Sequence, residues 1–208
     1  MREHEYALLG AMNRAHVGRY LGLVSAAASA LIVYILLSAV DIAHRFGWNV
    51  TLTPSILSLV GAATVFTALY WLFDRFAWKW RFLKLVIKVP DIAGQWDCQG
   101  QTINPDGSQG HSWRATITIL QSWDRIRVLL KTNQSGSNSI SAALICDDAD
   151  AYRLLYHYRN VPRIDEVDLQ SHLGFGELVF GRDLGSAEGE YFNGHGRNTF
   201  GTMKLTRI

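Results

Sequence analysis

Two long uncharged segments near the start of the chain constrain its fold more than any other feature. Tyr20–Val40 contains no charged residue, and Phe46–Phe73 follows it after an interval of five residues. An α-helix rises about 1.5 Å per residue, so about 20 apolar residues are enough to cross the hydrocarbon core of a bilayer. The pattern therefore predicts two transmembrane helices, at about residues 20–40 and 54–73.

Cations flank these two predicted helices unevenly. Arg14 and Arg19 precede the first helix, and residues 74–90 contain five Lys or Arg against one Asp. The connecting loop, residues 41–53, contains only Arg45. Because cytoplasmic segments beside membrane helices carry the excess of Lys and Arg, both termini are predicted to be cytoplasmic. Aromatic residues alternate with the cations after the second helix, which predicts an interfacial segment that anchors to anionic lipid.

The first predicted helix carries a stripe of small residues at a spacing of four. The stripe consists of Gly18, Gly22, Ala26 and Ala30. Small residues on one face allow helices to approach closely in lipid. Two interpretations stay open: the stripe packs the two helices of one chain together, or it packs the helices of neighbouring protomers.

After Pro90 the apolar residues follow the two-residue period of β-strands, and turn-forming segments such as Asn104–Gly107 separate them. The chain therefore divides into a membrane domain, residues 1–90, and a β domain, residues 91–208. The eight predicted strands are Gly94–Thr102, Ser112–Gln121, Arg125–Thr132, Ser137–Cys146, Ala151–Asn160, His172–Phe180, Glu188–Asn193 and Asn198–Leu205.

Eight consecutive antiparallel strands close well into a barrel, because closure removes exposed strand edges. A barrel of this size holds side chains plus at most one small ligand. The triplet Gly94–Trp96 is similar to the GxW that opens lipocalin-like barrels. On the strand 151–160, one face changes from Leu154 to Tyr156 and then to Asn160, so the barrel is predicted to be packed at its base and polar at its mouth. The predicted fold is a transmembrane α-helical hairpin followed by an all-β, eight-stranded antiparallel up-and-down, lipocalin-like β-barrel.

The β domain shows no catalytic, cofactor-binding or metal-binding motif, so no enzyme activity, cofactor or metal is predicted. It contains eleven Lys or Arg against fourteen Asp or Glu, which argues against DNA or RNA as a partner. Cys98 and Cys146 lack zinc-site spacing and are predicted to be small buried thiols in a reducing compartment. The acidic run 147–150 lacks the spacing of a calcium loop and is predicted to be a hairpin turn.

Polar and aromatic residues expected to point into the barrel form the candidate ligand site. Tyrosine faces suit the bases of a cyclic dinucleotide, hydroxyl and amide groups suit the base edges, and arginine suits phosphate. The alternative for each tyrosine is an ordinary core position with a satisfied hydroxyl. The candidates are Gln121, Trp123, Ser137, Ser139, Tyr156, Tyr158, Asn160, His172, Tyr191, Asn193, Arg197 and Thr199.

Several segments of the β domain resemble a known family. They are QSWDRIRVLLKTNQSGSNS at 121–139, LLYHYRNVP at 154–162, HLGFGEL at 172–178 and GEYFNGHGRNTFG at 189–201. With the two membrane helices and the GxW triplet, they resemble the two-transmembrane β-barrel effectors of CBASS antiphage systems. The resemblance implies a barrel that binds a cyclic dinucleotide made by a partner nucleotidyltransferase. It also implies oligomerisation of the membrane part and disruption of the bacterial inner membrane, with Arg197 and Thr199 at the positions expected for the family's arginine and threonine.

Three classes of function follow from these observations. The first is a non-enzymatic membrane effector, gated by a cyclic dinucleotide, that forms a homo-oligomer in inner-membrane lipid on activation. The alternative is a membrane-tethered, lipocalin-like carrier or sensor of an apolar small ligand, which predicts a cavity lined by Leu and Phe. The third is a structural or adaptor protein, which predicts a barrel filled by its own side chains.

Overall fold

The first uncharged segment forms one long helix. Helix α1 spans Arg14–Arg45 and therefore extends beyond the predicted membrane span at both ends. Asn13 caps its start, because the side-chain oxygen accepts a hydrogen bond from the Ala15 amide at 2.8 Å. The helix is long and apolar enough to cross a membrane. The computed structural model describes residues 3–146, 152–166, 169–194 and 197–208.

The second uncharged segment forms two helices in succession, α2 at Pro54–Leu59 and α3 at Ala62–Arg75. Pro54 occupies the first helical position, as the sequence predicts, but the helix is interrupted at Val60. The interruption frees a backbone carbonyl, and the Ser29 hydroxyl on α1 donates a hydrogen bond to that Val60 oxygen. In lipid such a bond matters, because water cannot satisfy a free carbonyl there.

The stripe of small residues is only partly buried within the protomer. The side chains of α1 that become buried are instead Ser25 and Ser29, together with Val17. Ala26 and Ala30 are exposed, whereas Gly18 and Gly22 are half-buried. A Cβ atom on either glycine would have no neighbour within 4 Å, so space beside the stripe is open within the protomer.

A short segment of mixed character follows the second span. It makes one turn of 3₁₀-helix, Ala77–Lys79, and then helix α4, Arg81–Ile87. Trp78 is fully buried, although the sequence pattern groups it with the other aromatic residues of an interfacial belt. The remaining aromatic side chains of that belt are exposed: Phe76, Trp80 and Phe82.

The β domain folds into a closed, eight-stranded antiparallel barrel, so the predicted fold class is confirmed. Each strand pairs with its neighbours in the sequence, and the first and last barrel strands, β3 and β10, pair with each other. The predicted hairpin turn at 147–150 lies outside the described residues. The barrel strands are β3 Gly94–Ile103, β4 Gln109–Gln121, β5 Arg125–Lys131, β6 Ser135–Cys146, β7 Tyr152–Pro162, β8 His172–Phe180, β9 Ser186–Asn193 and β10 Phe200–Arg207.

An apolar core fills one end of the barrel. Trp96 is fully buried, packs edge-to-face on Phe180 with ring centroids 5.2 Å apart, and donates from Nε1 to the Ile92 carbonyl at 3.3 Å. Alternate residues of β4, such as Ile117 and Ile119, point into the same core. This end is therefore the packed base that the strand pattern predicts.

The first residues of the chain also belong to the barrel unit. Two compact units make up the chain: Met12–Trp80 forms one, and Met1–Ala11 with Arg81–Ile208 forms the other. Within the second unit, β1 (His4–Glu5) pairs with β5, and β2 (Ala7–Leu9) runs parallel to β6. The sequence pattern assigns these residues to the membrane domain, because strands of two and three residues are too short to show a period.

Candidate ligand-binding cavity

The end of the barrel opposite the packed base contains an open cavity of about 620 Å³. Clefts of this volume are typical of small-molecule sites. Strands β3 to β10 contribute side chains near their ends at this mouth, and the loops between them complete the wall. Nine of the twelve candidates line the cavity: Ser137, Tyr156, Tyr158, Asn160, His172, Tyr191, Asn193, Arg197 and Thr199.

The other three candidates lie outside the cavity lining: Gln121, Trp123 and Ser139. The Gln121 side chain holds the chain that enters β3, because its Oε1 accepts from the Ile92 amide at 2.9 Å and its Nε2 donates to the Pro90 carbonyl at 3.1 Å. Trp123 is fully buried. The Ser139 hydroxyl is also buried and accepts a backbone N–H at 2.9 Å. The structure thus places all three in contacts that support the barrel.

Three aromatic rings of the cavity region each lie over a glycine of the neighbouring strand. The pairs are Tyr158–Gly174, Tyr156–Gly176 and Trp113–Gly100. A Cβ atom on these glycines would lie 2.4, 2.6 and 2.1 Å, respectively, from the ring. Carbon atoms in ordinary contact are about 3.5–4.0 Å apart, so any other residue would displace the ring. Glycine therefore lets each ring lie against the barrel wall and leaves the centre of the mouth open.

Hydrogen bonds position the rings on one side of the cavity. The Trp113 indole Nε1 donates to the Tyr191 hydroxyl at 3.1 Å, and the two rings meet edge-to-face with centroids 5.5 Å apart. The Thr102 hydroxyl lies 3.0 Å from the same Tyr191 oxygen. Because three strands contribute to this cluster, its rings are held in one orientation before any ligand arrives.

A second chain of hydrogen bonds positions the turn between β9 and β10. The Tyr158 hydroxyl donates to Asn193 Oδ1 at 2.9 Å, and Asn193 Nδ2 donates to the Thr199 hydroxyl at 2.7 Å. Arg197 lies within this turn and lines the cavity. Residues 195 and 196, which precede it in the family-like segment, lie outside the described residues.

The charged residues around the cavity are cationic. Arg114 and Arg197 line it, and the part of the lining that the structure describes includes no Asp or Glu. The β domain as a whole carries more acidic than basic residues. The positive charge is therefore concentrated at the mouth, where it favours an anionic ligand.

One buried polar group at the cavity lacks a protein partner. The side chain of Asn160 is 5% exposed, and its amide nitrogen has no hydrogen-bond partner among the described residues. Leaving such a group unsatisfied costs about 1–3 kcal/mol. Asn160 lines the cavity, so its amide is a candidate donor to a ligand there.

Burial keeps the central tyrosines neutral. It raises the pKa of Tyr156 above its ordinary value, with smaller contributions from Tyr158 and Cys98. Burial also raises the pKa of Tyr158, supported by Tyr191 and opposed by Arg197. Their hydroxyls therefore stay hydrogen-bond donors at physiological pH. Beside them, burial and the charge of Asp97 raise the pKa of the Cys98 thiol to about 12, so this thiol is unreactive.

The sequence interpretation missed several cavity residues. Trp113 shares the inward face of β4 with Ala115 and Ile117, so strand alternation alone could have identified it. Arg114 lies on the opposite face by alternation and still reaches the cavity at the mouth, which no periodic pattern predicts. The remaining missed residues are Thr102, His111, Leu130, Thr132, Asn133, Gln134, Ser135, Leu169 and Met203.

Both units match models of one protein family. Residues 87–207 match "Cap15, cyclic dinucleotide receptor domain", and residues 15–79 match "Cap15, TM helices". The chain belongs to the Cap15 family. It is 39% identical over 208 residues to CD-NTase-associated protein 15 of Yersinia aleksiciae, which covers 100% of this chain and 99% of that protein. It is also 24% identical over 162 residues to CD-NTase-associated protein 15 of Staphylococcus schleiferi. That alignment covers 77% of this chain and 83% of that protein.

Membership of the Cap15 family confirms the resemblance on which the sequence interpretation relied. The match at residues 87–207 covers every strand of the barrel and all the described residues of the cavity lining. The match at residues 15–79 covers both apolar spans, which identifies this Cap15-family chain as a membrane protein with transmembrane helices. The chain is thus CBASS-associated and contains a cyclic dinucleotide receptor domain.

The pairing of rings with glycines generates a first prediction. We expect Gly174→Ala to push the Tyr158 ring into the cavity and to weaken ligand binding at least tenfold, since the new Cβ would lie 2.4 Å from the ring. Gly136→Ala is the matched control, because its Cβ would meet only the Leu130 carbonyl oxygen at 3.7 Å. Titration calorimetry with cyclic dinucleotides measures both variants, and equal affinities would contradict the steric role of Gly174.

The raised pKa values of Tyr156 and Tyr158 generate a second prediction. In the unfolded chain tyrosine ionises near pH 10, so the stability that these neutral side chains contribute is present below about pH 10 and is lost above it. In the folded protein we expect the double variant Tyr156→Phe/Tyr158→Phe to leave the tyrosinate absorbance rise between about pH 9.5 and 11 unchanged. In concentrated urea the same variant should lose the signal of two tyrosines. A loss of that size in the folded protein would contradict the raised pKa values of these two tyrosines.

Proposed function

We propose that the cavity binds a cyclic dinucleotide. The observation that carries the proposal is the combination, in one cavity, of tyrosine rings, two arginines and the unpartnered Asn160 amide. The rings offer faces for bases, the arginines offer charge-assisted hydrogen bonds to phosphate, and the amide offers a donor to a base edge. The match to a cyclic dinucleotide receptor domain supports the same ligand class.

The two rival functions fit the cavity less well. A carrier of apolar ligands needs a lining of Leu and Phe, whereas the described aliphatic residues here are Leu130, Leu169 and Met203 amid hydroxyl and amide groups. An adaptor with a filled barrel has no place for a cavity of about 620 Å³. A polar, anionic small ligand is therefore the occupant that the lining favours.

The proposed role is that of a receptor without catalytic chemistry. A partner nucleotidyltransferase would supply the ligand, and the relatives' name, CD-NTase-associated protein 15, supports that partnership. For binding to act as a signal, the ligand need only bind one conformation or assembly state of the receptor more tightly than the other. The raised pKa values of Tyr156 and Tyr158 suit this role, because neutral hydroxyls do not act as bases.

The proposed output is assembly in the bacterial inner membrane, with both termini in the cytoplasm, followed by membrane disruption in antiphage defence. The open space beside Gly18 and Gly22 supports packing between protomers, because a Cβ atom on either glycine would have no neighbour within 4 Å in the protomer. The excess of cations beside the spans supports the orientation. No DNA or RNA partner is proposed.

The outer surface of the barrel offers a second contact for assembly. Phe175 and Phe192 stack across β8 and β9 with ring centroids 5.4 Å apart. Phe200 lies opposite Phe192 on β10, and Leu173 lies two residues before Phe175. The side chains of Phe192, Phe200 and Leu173 are exposed. Contiguous apolar patches on soluble domains typically mark interaction sites, so this patch supports self-association.

The ligand proposal leads to a third prediction. We expect calorimetry on the full-length protein in detergent to show binding of at least one member of a panel containing cyclic di-AMP, cyclic di-GMP, cyclic GMP–AMP and cyclic di-UMP. Asn160→Leu should weaken that binding about tenfold, because one hydrogen bond of about 1.4 kcal/mol is lost. Gln99→Leu, the same type of change on the outward face of β3, is the control. Absence of binding across the panel would refute the proposed ligand class.

The assembly proposal leads to a fourth prediction. Gly22→Leu and Ala26→Leu should each abolish ligand-dependent toxicity in cells and leave ligand affinity within twofold of wild type, because they fill the stripe and not the cavity. Val24→Leu, at an exposed position of α1 beside the stripe, should keep toxicity. Growth assays with a co-expressed nucleotidyltransferase measure the output. Survival of toxicity in both stripe variants would show that the stripe is not a contact between protomers.

A further inference from the structure

Among the described barrel strands, β5 and β6 are joined by the shortest backbone ladder. Among the described residues, these strands share three residue pairs, whereas each other pair of neighbouring barrel strands shares at least six. The three pairs join Leu129–Lys131 to Gly136–Asn138. Beyond them the strands separate, and the register of β6 with β7 shifts between Ser139 and Ser141. This seam is the weak point of the barrel wall.

The N-terminal strap, residues 4–9, fills the open part of the seam. One part of the strap pairs with β5 and the next runs parallel to β6, so it satisfies both separated edges. Tyr6 anchors the strap: it is 2% exposed, and its hydroxyl donates to the Ser122 carbonyl at 3.4 Å. His4 Nε2 forms a hydrogen bond of 2.7 Å with the Ser139 hydroxyl, which also accepts the Val128 amide at 2.9 Å.

The closed part of the same seam is a wall of the ligand cavity. Leu130 and Ser137 face each other across it, and both line the cavity. The turn that joins β5 to β6 contributes Thr132, Asn133 and Gln134 to the lining as well. Three backbone pairs hold this wall, together with side-chain hydrogen bonds from the Val128 amide to Ser139 and from Arg127 to Asn138. The strap occupies the adjoining part of the seam, so it also limits how far the wall can open.

The strap is connected directly to the first membrane helix. Four residues separate Leu9 from the start of α1 at Arg14. The first of them, Gly10, has a φ of 76°, and a Cβ atom there would lie 2.2 Å from the Cys146 carbonyl oxygen. Only glycine fits this conformation beside β6, so the chain leaves the seam along a defined path before it enters α1.

We propose that the N-terminal strap is a positioning element that holds the β5–β6 wall in its ligand-binding shape and couples the cavity to α1. By thermodynamic linkage, a strap that favours the binding shape is itself held more firmly in the seam when ligand is bound. Ligand binding would then fix the residues that lead into the first membrane helix. The ligand part of this inference rests on the proposed function, whereas the structural part does not.

Hydrogen exchange without ligand tests the structural part in the full-length protein reconstituted in lipid nanodiscs. Tyr6→Ala should raise exchange at least tenfold in the strap and also at Leu129–Lys131, in the cavity wall. Gly10→Val should raise exchange in the same two places, because its side chain would block the path by which the strap leaves the seam. Since this variant keeps the buried Tyr6 ring, it separates displacement of the strap from general unfolding of the barrel. Leu9→Ala, at an exposed strap position, is the control. Exchange that rises in the strap alone would overturn the inference.

Calorimetry tests the coupling with whichever member of the cyclic dinucleotide panel binds wild-type protein. Tyr6→Ala should weaken binding threefold to tenfold although Tyr6 does not line the cavity, and Tyr6→Phe should restore it, because the buried ring is kept. Added ligand should slow exchange at Ala7–Leu9. Unchanged affinity in Tyr6→Ala, or unchanged exchange at Ala7–Leu9, would overturn the coupling. If no cyclic dinucleotide binds wild type, the proposed function fails and, with it, the coupling; the exchange experiment still decides the role of the strap in the wall.

Discussion

The contact of an aromatic ring with a glycine on the next strand is the constraint on which the ligand cavity depends. Eight-stranded barrels are narrow enough for side chains to fill them, as they do here at the base around Trp96. At the mouth, Gly174 and Gly176 let the rings of Tyr158 and Tyr156 lie against the wall. The same barrel thus combines a core that stabilises it with an open end that can accept a ligand.

The polar groups at the mouth support the proposal that this open end binds an anionic nucleotide. Two hydrogen-bond chains, one through Tyr191 and one through Asn193, hold six side chains of the lining in place within the protein. The amide nitrogen of Asn160 is left without a partner among the described residues, and the described lining carries arginines without carboxylates. Rings that are already held in place reduce the entropy cost of binding, because fewer side chains must be immobilised when the ligand arrives.

How far the sequence predicted the site depends on two separate questions, which face of a strand a residue occupies and which end of the barrel. The two-residue period answers the first question, and it placed Tyr156, Tyr158 and Asn160 on the inward face. It does not answer the second. Gln121 continues the inward face of Ile117 and Ile119, yet it lies beyond the cavity lining and holds the chain that enters β3. Neighbouring antiparallel strands run in opposite directions, so the end of β4 at Gln121 lies at the base, whereas the end of β7 at Asn160 lies at the mouth.

The sequence by itself determined the two apolar spans and the number and alternation of the barrel strands, because the length of an uncharged run and a two-residue period are local properties. Tertiary structure decided the features that need distant segments to meet. The helix break at Val60 is satisfied by Ser29, thirty-one residues away, and the strap around Tyr6 pairs with strands more than 100 residues away. Such pairings leave no periodic pattern in the chain, because their energy arises only when the partners are brought together by the closed barrel or the helix pair.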